Sequence, residues 1–356
     1  MKQLWLLMER GYDAQDNSWH LFNYIKKSSK INAKYAITKH SKDRINLQEY
    51  KDSLIDFGSI NYYISLFNAK YIISTHIGTY FPSLWLKGKL DKSFLQPKGK
   101  IIFLQHGILH NDIPVLHYYN NKNLSLFICG ARNEFELVCK KYKYPDKIVK
   151  YTGLARFDNL YEYTTIRQIL IMPTWRIEYK NFSDEEFMST DFYQSYKCIL
   201  TSEKMKKCLS EAGYILTYIN HVEFQKFTHL FTPFDDTCVK VLSFGDRRVQ
   251  DLLKESDVLI TDYSSVYYDF LYMRKPVIFF HLNKDEFYKA QYGIDYDDVS
   301  EFGIVTSTYD EVISSIIQTI KNNCQIREEH LLNISKIFPT RDKHNCERIY
   351  NEIVNI

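Results

Sequence analysis

A run of hydroxyl and carboxyl side chains in the last third of the chain is suited to phosphate binding. The apolar run Val258–Ile260 predicts a buried strand, and a helical pattern begins at Val266. The residues between them are Thr261, Asp262, Tyr263, Ser264 and Ser265. A helix that starts here directs free backbone N–H groups and the positive end of its dipole toward a bound anion. The alternative is that these side chains only cap the helix, and spacing alone favours neither reading.

Three further polar motifs follow predicted strands in the same way. His106-Gly107 follows Ile101–Gln105, Pro173–Arg176 follows Ile169–Met172, and His221 comes shortly after Ile215–Tyr218. Ligands of open α/β sheets bind outside the carboxyl ends of the strands, so all four motifs belong on a ligand-binding rim. His106 is our candidate general base, because an imidazole titrates near neutral pH. Gly107 allows a tight turn and close approach of a substrate; the alternative for His106 is a capping or buried histidine.

The order of apolar runs predicts the fold class. Strand-like and helix-like segments alternate almost throughout, which predicts α/β units around parallel sheets. Two doubly wound, Rossmann-like domains account for this pattern. We expect an N-terminal domain over residues 1–160, a second domain over 161–340, and a terminal helix over 341–356 that packs back on the first. The predicted strands are Leu4–Met8, Lys34–Thr38, Tyr71–Ser74, Ile101–Gln105, Leu124–Cys129, Ile148–Tyr151, Ile169–Met172, Ile215–Tyr218, Val239–Leu242, Val258–Ile260, Val277–Phe280 and Gly303–Val305.

Composition removes several classes of protein. The 356 residues suffice for about two domains with large cores. The seven cysteines form no C-x-x-C pair, which indicates reduced thiols rather than a disulfide framework or a zinc site. The glycine patterns of nicotinamide-binding and P-loop proteins are missing from the sequence. We also expect no secretory signal, no membrane-spanning helix, no metal-ligand residues and no covalently attached cofactor, while the need for a divalent metal stays open.

Charge is unevenly distributed along the chain. Residues 1–165 contain 24 Lys and Arg against 14 Asp and Glu, a net +10, and the remainder has 22 against 29, a net −7. A basic half predicts an anionic partner such as a membrane surface or a phosphate polymer. No nucleic-acid-binding signature occurs in the sequence, so nucleic acid is not expected. The stretch Tyr80–Leu95 interleaves aromatic, leucine and lysine residues and is either an interfacial membrane segment or an ordinary half-buried helix.

Taken together, these motifs resemble the CDP-glycerol glycerophosphotransferase family of teichoic-acid primases and polymerases. The opening Trp5, Glu9-Arg10 and Asp16-Asn17 is similar to that family's W…ER…DN pattern. Two family motifs, P-T-W-R at 173–176 and I-T-D-Y-S-S at 260–265, are intact. Two others are altered, with Gln105 for Trp in W-H-G and Ala155 for Pro in G-x-P-R-x-D.

The resemblance implies a GT-B-like α/β fold, with two domains that face a cleft. It also implies transfer of glycerol phosphate or ribitol phosphate from CDP-glycerol or CDP-ribitol to a hydroxyl of a lipid-linked or polymeric glycan, with release of CMP. The enzyme would act in teichoic-acid or capsule synthesis in the bacterial cytoplasm, at the inner face of the membrane. The N-terminal domain would hold the acceptor and the C-terminal domain the donor.

The same resemblance implies roles for individual residues. His221 would donate a proton to the donor pyrophosphate, although Val222 replaces the proline that usually follows it. The expected donor-phosphate ligands are Thr261, Ser264, Ser265 and Arg176, where Arg176 is alternatively part of a structural stack with Trp175. Asp262 would orient its loop or a histidine. The expected acceptor-side or structural residues are Arg10, Asp16, Asn17 and His76.

Two other functions stay open at this point. One is a GT-B glycosyltransferase that uses another nucleotide sugar, such as CMP-sialic acid. The other is a non-catalytic family member, which the changes at Gln105 and Val222 would favour.

Overall fold

A computed structural model describes residues 3–77, 97–110, 124–285, 287 and 298–356. These residues form two compact units. The first contains the described residues up to Ile108, residues 124–161, and the C-terminal segment Pro339–Ile356; the second contains residues 109–110 and the described part of Glu162–Phe338. Apart from residues 109–110, the chain changes unit after Tyr161 and after Phe338, next to the boundaries that the sequence suggests.

The first unit is built on a seven-stranded, fully parallel sheet. Its strand order is β3-β2-β1-β4-β5-β6-β7, so the order reverses between β1 and β4. The strands are β1 Leu4–Met8, β2 Asn32–Ile37, β3 Leu54–Asp56, β4 Ala69–Ser74, β5 Lys100–Phe103, β6 Leu124–Cys129 and β7 Val149–Tyr151. The α-helices of this unit are α1 Asn17–Ser28, α2 Ile60–Asn68 and α3 Arg132–Lys140, with 3₁₀ helices at Lys42–Ser53 and Ala155–Asn159.

Alternate residues of β1 enter two different cores. Leu6 and Met8 pack with Tyr62 and Leu66 of α2 on one face of the sheet. Trp5 points to the other face, where its ring contacts Tyr71 of β4 at 5.0 Å. Because side chains alternate across a strand, helices must cover both faces, as in a doubly wound domain.

The C-terminal helix, Asn345–Val354, belongs to the first unit. Asp158 holds its first turn: one carboxylate oxygen accepts the backbone and side-chain N–H groups of Asn345, both at 2.7 Å, and the other accepts the N–H of Cys346 at 2.9 Å. A carboxylate at this end of a helix satisfies free N–H groups and complements the helix dipole. Gly153 lies directly against Asn345 and has a φ of +79°.

The second unit repeats the arrangement with a six-stranded parallel sheet. Its order is β10-β9-β8-β11-β12-β13, and it reverses between β8 and β11. The strands are β8 Gln168–Met172, β9 Ile215–Ile219, β10 Val239–Leu242, β11 Ser256–Thr261, β12 Val277–Phe280 and β13 Ile304–Thr306. Its α-helices are α4 Asp184–Met188, α5 Asp191–Thr201, α6 Glu203–Ala212, α7 Val249–Glu255, α8 Tyr267–Tyr272, α9 Tyr309–Lys321 and α10 Glu328–Ile337; the C-terminal helix is then α11. Short 3₁₀ helices lie at Ile177–Tyr179, Val222–Leu230 and Thr232–Phe234.

The core of the second unit is rich in aromatic rings. Phe187 of α4 stacks on Phe227 with ring centroids 3.9 Å apart, and both belong to a cluster that includes Ile169 and Ile171 of β8 and Ile316 of α9. Burying a side chain of this size is worth about 1.5–3 kcal/mol. The strands that carry polar motifs at their ends are thus fixed by a large apolar core.

The predicted α/β class with two Rossmann-like domains is confirmed. The structure adds a strand that the sequence did not reveal, Leu54–Asp56, which has three residues and lies at the edge of the first sheet. The helix predicted from Val266 begins at Tyr267 and has six residues. The membrane-segment hypothesis for Tyr80–Leu95 falls outside the described residues. Within the part of the chain that is described, no helix combines the length and apolar character needed to cross a bilayer.

Two glycines with the same backbone conformation allow a matched test of the C-terminal helix contact. We expect Gly58→Ala to lower the free energy of unfolding by about 1 kcal/mol, because its φ of +81° disfavours a side chain but a Cβ there meets no atom within 4 Å. Gly153→Ala has the same strain and also drives a Cβ into Asn345, so we expect a loss of about 3 kcal/mol or more. Urea unfolding of the two variants measures the difference; equal losses would contradict the contact.

Candidate active site

In the first unit, polar residues gather where the strand order reverses. The segments that follow β1, β4 and β5 contribute Asp16-Asn17, Thr75-His76 and Gln105-His106. A crevice opens at such a reversal because the chain leaves the two central strands in opposite directions. The structure thereby brings together the N-terminal residues that the sequence singled out.

Asn17 ties the segments after β1 and β5 to the 3₁₀ helix after β7. It is fully buried; its side-chain N–H donates to the carbonyl of Gln105 at 2.7 Å, and its side-chain oxygen accepts the backbone N–H of Arg156 at 3.0 Å. The guanidinium of Arg156 then donates to Asp16 at 3.0 Å and to the carbonyl of His106 at 3.2 Å. Asp16-Asn17 therefore fixes the backbone on both sides of the His106 ring, a structural part of the role that we expected for it.

The hydrogen bond of His106 assigns its tautomer. Nδ1 lies 3.4 Å from the backbone oxygen of Thr75. A carbonyl only accepts, so Nδ1 carries the proton and Nε2 presents a lone pair. His106 is an exposed residue, yet desolvation by the surrounding protein lowers the pKa of its imidazole, and the positive charges of Arg156 and Arg10 act in the same direction while Asp16 opposes them. A neutral imidazole with a free Nε2 is the form that a general base requires.

His76 lies flat against His106. The two rings are 4.4 Å apart between centroids and inclined by only 9°. Burial lowers the pKa of His76 to about 3, and the neighbouring His106 and Arg10 contribute to the shift. Arg10 itself is held by Asp13 through an ion pair of 2.5 Å.

Gln105, the residue that replaces the family tryptophan, is part of the support. It is 1% exposed, adopts a left-handed φ of 61°, and donates to the buried carboxylate of Glu134 at 3.3 Å. Glu134 also accepts the backbone N–H of Gly130 at 2.6 Å. The substitution is therefore compensated inside the domain, and Gln105 turns the backbone so that the next residue, His106, is exposed.

In the second unit, Asp262 joins the two strands at the reversal. The end of β11 places it fully buried beside the end of β8, where one carboxylate oxygen accepts the backbone N–H of Thr174 at 2.8 Å and that of Tyr263 at 2.7 Å. Its other oxygen accepts the guanidinium of Arg176 at 2.8 Å. Asp262 thus ties the segment after β8 to the segment after β11.

Arg176 has a structural setting that differs from the phosphate contact we expected. It is 4% exposed, donates to the carbonyl of Thr174 at 2.9 Å, and packs under the rings of Phe287, at 4.3 Å, and Tyr263, at 5.2 Å. Since a buried guanidinium needs a compensating charge, the pair with Asp262 explains why the two intact motifs occur together. The aromatic contacts of Arg176 are made with Phe287 and Tyr263 rather than with Trp175, the partner named in the sequence-based alternative.

Thr261 also has structural contacts. Its hydroxyl donates to the carbonyl of Met172 in β8 at 2.6 Å, and the residue is fully buried. Ser264 and Ser265, by contrast, are half-buried and follow the strand end. Of the expected phosphate ligands, these two serines are the ones whose side chains remain at the surface.

His221 has the opposite tautomer to His106. It caps the 3₁₀ helix Val222–Leu230, and its Nδ1 accepts the backbone N–H of Glu223 at 3.2 Å. Nδ1 therefore has no proton in the neutral ring, and Nε2 carries it as a donor. The ring of Trp175 lies beside it, 6.4 Å away and inclined by 22°, which places the P-T-W-R motif next to the histidine.

Sequence reasoning missed three residues of the first cluster. Arg156 and Thr75 both bond to His106, and the buried Glu9 accepts the backbone N–H groups of Gln15, Asp16 and Trp19 at 3.0–3.2 Å. The G-x-P-R-x-D-like motif at 153–158 contained the signal for Arg156, whereas Thr75 shows no pattern in the sequence. Across the described residues there is no cluster of three or more His, Cys, Asp and Glu side chains that could hold a metal.

Comparison with protein families gives one match over the full length. The family described as CDP-Glycerol:Poly(glycerophosphate) glycerophosphotransferase matches residues 1–355. The minor teichoic acid biosynthesis protein GgaB of Bacillus subtilis (strain 168) is 29% identical over 100% of this chain and 40% of its own length. The teichoic acid poly(ribitol-phosphate) polymerase of Bacillus spizizenii is 26% identical over 68% of this chain and 39% of its own length. The chain thus spans about 40% of the length of these relatives.

A solved structure has the same fold. The wall teichoic acid polymerase TagF superposes with a TM-score of 0.68 at 15% identity, over 99% of this chain and 90% of that one. The likeness shows a known α/β fold.

The buried ion pair offers a stability test with a surface control. We expect Arg176→Met to lower the free energy of unfolding by about 3–5 kcal/mol, because it strands the carboxylate of Asp262 in the interior. Arg176→Met combined with Asp262→Asn should cost less than the sum of the two single changes. The exposed pair Arg248–Asp251, in the same unit, has side chains 47% and 29% exposed, so Arg248→Met should cost below about 1 kcal/mol.

Urea unfolding of the four variants gives the coupling energy. Additive losses would mean that Arg176 is not held by Asp262, and a stable Arg176→Met protein with weakened donor binding would restore the phosphate role for Arg176.

Proposed function

Because the chain belongs to the CDP-glycerol:poly(glycerophosphate) glycerophosphotransferase family, we propose that it transfers glycerol phosphate from CDP-glycerol to an acceptor hydroxyl and releases CMP. The acceptor is a lipid-linked or polymeric glycan of teichoic-acid synthesis. The match over residues 1–355 favours a polyol-phosphate donor over the nucleotide-sugar alternative.

The observation that carries the mechanism is the bond from His106 Nδ1 to Thr75 O. It leaves the lone pair of Nε2 available at the exposed edge of the first unit, where an acceptor hydroxyl can approach. His106 takes the proton of that hydroxyl while the hydroxyl oxygen attacks the phosphorus that bears glycerol. Desolvation keeps the imidazole unprotonated at neutral pH, since it lowers the pKa of His106.

His221 supports the departure of CMP. Its Nε2 carries the proton because Nδ1 accepts from Glu223, so it can donate a hydrogen bond to the pyrophosphate as negative charge develops. Ser264 and Ser265 offer half-buried hydroxyls beyond the end of β11 for the donor phosphates. Asp262 and Arg176 hold the loop and do not contact the phosphates.

The reaction balances without a co-reactant. A bond forms between the acceptor oxygen and the glycerol-bearing phosphorus, and the bond from that phosphorus to the bridging pyrophosphate oxygen breaks. The pair of electrons leaves with CMP, and the acceptor proton goes to His106. Because the proposed base His106 lies in the N-terminal unit, we assign the acceptor to that unit. We assign the donor to the C-terminal unit, which contains His221.

A CMP-release assay tests the proposal. Purified protein is incubated separately with CDP-glycerol, CDP-ribitol and CMP-sialic acid, with and without a synthetic lipid-linked disaccharide. We expect acceptor-dependent CMP release from CDP-glycerol, a loss of about 100-fold or more in His106→Ala, and no change in the control His40→Ala, which removes an exposed histidine of the same unit.

Each other result has a definite meaning. Release from CDP-ribitol alone would change the donor, and release from CMP-sialic acid alone would replace the proposal with the sugar-transferase function. No release from any of the three would favour a non-catalytic family member, and an active His106→Ala variant would remove the proposed base.

We also propose that the protein works at the inner face of the bacterial membrane. The net charge of +10 in residues 1–165, from 24 basic and 14 acidic residues, supports attraction to an anionic surface. We expect the protein to sediment with phosphatidylglycerol vesicles at low salt and to dissociate as the salt concentration rises. We expect no binding to phosphatidylcholine vesicles. Failure to bind the anionic vesicles at low salt would contradict the proposed membrane location.

A further inference from the structure

We infer that His76 is a positioning residue for the proposed base: its ring is the platform on which the His106 imidazole lies. This inference rests on the proposed function, in which His106 acts on the acceptor hydroxyl. It replaces the acceptor contact that the sequence suggested for His76 with a role that acts through another side chain.

The strand register brings the two histidines together. Ser74 of β4 pairs with Phe103 of β5, so the residues just past both strand ends run side by side. The N–H of Leu104 donates to the carbonyl of Ser74 at 2.9 Å, which extends this pairing one residue beyond β5. The rings then stack at 4.4 Å with an inclination of 9°.

Thr75 anchors both rings at once. Its backbone oxygen accepts a hydrogen bond from His106 Nδ1–H, and its hydroxyl lies 2.8 Å from Nδ1 of His76. The backbone N–H of His76 is fixed as well, because it donates to the hydroxyl of Ser74 at 3.1 Å. Thr75 is fully buried, so the two rings share one buried anchor residue. The ring plane of His106 determines where its Nε2 lone pair points, so the stack determines the direction of proton transfer.

The charges around the pair act on its protonation. Among the described residues, the groups that face the two rings are Arg10 after β1, Asp16 at the start of α1, and Arg156 in the 3₁₀ helix after β7. Two of the three are positive, and a proton on one ring disfavours a proton on the other. His76 is the ring with the pKa of about 3, so it stays neutral and covers one face of the His106 ring.

Two variants distinguish a stacking role of the His76 ring from a chemical role of its nitrogens. His76→Phe keeps a flat ring of similar size and removes both nitrogens, whereas His76→Ala removes the platform. We expect His76→Ala to lower kcat by roughly 10–100-fold with the KM for CDP-glycerol changed less than twofold, and His76→Phe to keep kcat within about threefold of the parent. In His76→Ala the acid limb of the kcat/KM profile should move to higher pH, because the loss of cover raises the pKa of His106 toward its usual value near 6.5.

An NMR titration of the histidine side chains in the full chain, without substrate, provides a second readout. The His106 signals are identified by their loss in His106→Ala. We expect the His106 pKa to rise in His76→Ala and to stay near the parent value in His76→Phe. Circular dichroism of each variant checks that the fold is retained.

The outcomes separate this inference from the proposed function. Equal losses of kcat in both His76 variants, with a raised KM for the acceptor, would show that a His76 nitrogen contacts substrate and would overturn the platform role. An unchanged His106 titration in His76→Ala would overturn it even if the protein released no CMP. An active His106→Ala variant would instead reject the base assignment.

Discussion

In a fully parallel sheet, the central strands have no free backbone groups and no exposed edge, so chemistry has to be placed just beyond their carboxyl ends. Both sheets of this chain meet that constraint at the point where the strand order reverses, between β1 and β4 and between β8 and β11. At each reversal, the segments after adjacent strands must be joined by something other than the sheet ladder. In the first unit, Asn17 joins the segment after β1 to those after β5 and β7; in the second, Asp262 joins the segments after the adjacent strands β8 and β11. Both are fully buried. A buried polar group that loses its hydrogen bond destabilises the folded state, so these bonds matter for stability.

Residues of a single motif can differ in role: some are exposed where a ligand could bind, and others hold the loop in place. In the segment 153–158, Gly153 admits the C-terminal helix, Asp158 caps that helix, and Arg156 turns toward Asp16 and His106. In P-T-W-R, Arg176 is buried against Asp262, whereas Trp175 lies beside His221. A motif therefore marks a place in the fold where several requirements coincide, and its residues need not share one role.

The same distinction explains what the sequence predicted well. Long apolar strands, their alternation with helices and the polar rim were visible because each is set by local pattern, and the structure has these strands in two parallel sheets. The three-residue strand Leu54–Asp56 was not visible, since only one of its residues is buried and the pattern is too short. The stack of His76 on His106 was not visible either, because it depends on the register of β4 against β5 and on the buried Thr75. Arg176 was assigned to phosphate because charge alone suggests an anion, while its burial follows from packing that no single-sequence pattern encodes.

The two histidines show how backbone geometry determines chemical role. His106 and His221 have identical side chains, but one has Nδ1 against a carbonyl oxygen and the other has Nδ1 against a backbone N–H. The first arrangement leaves a lone pair on Nε2, and the second leaves a proton there. An acceptor hydroxyl needs the former and a departing phosphate needs the latter. Backbone contacts alone therefore present a ring-nitrogen lone pair at His106 and, in the neutral ring of His221, a ring N–H.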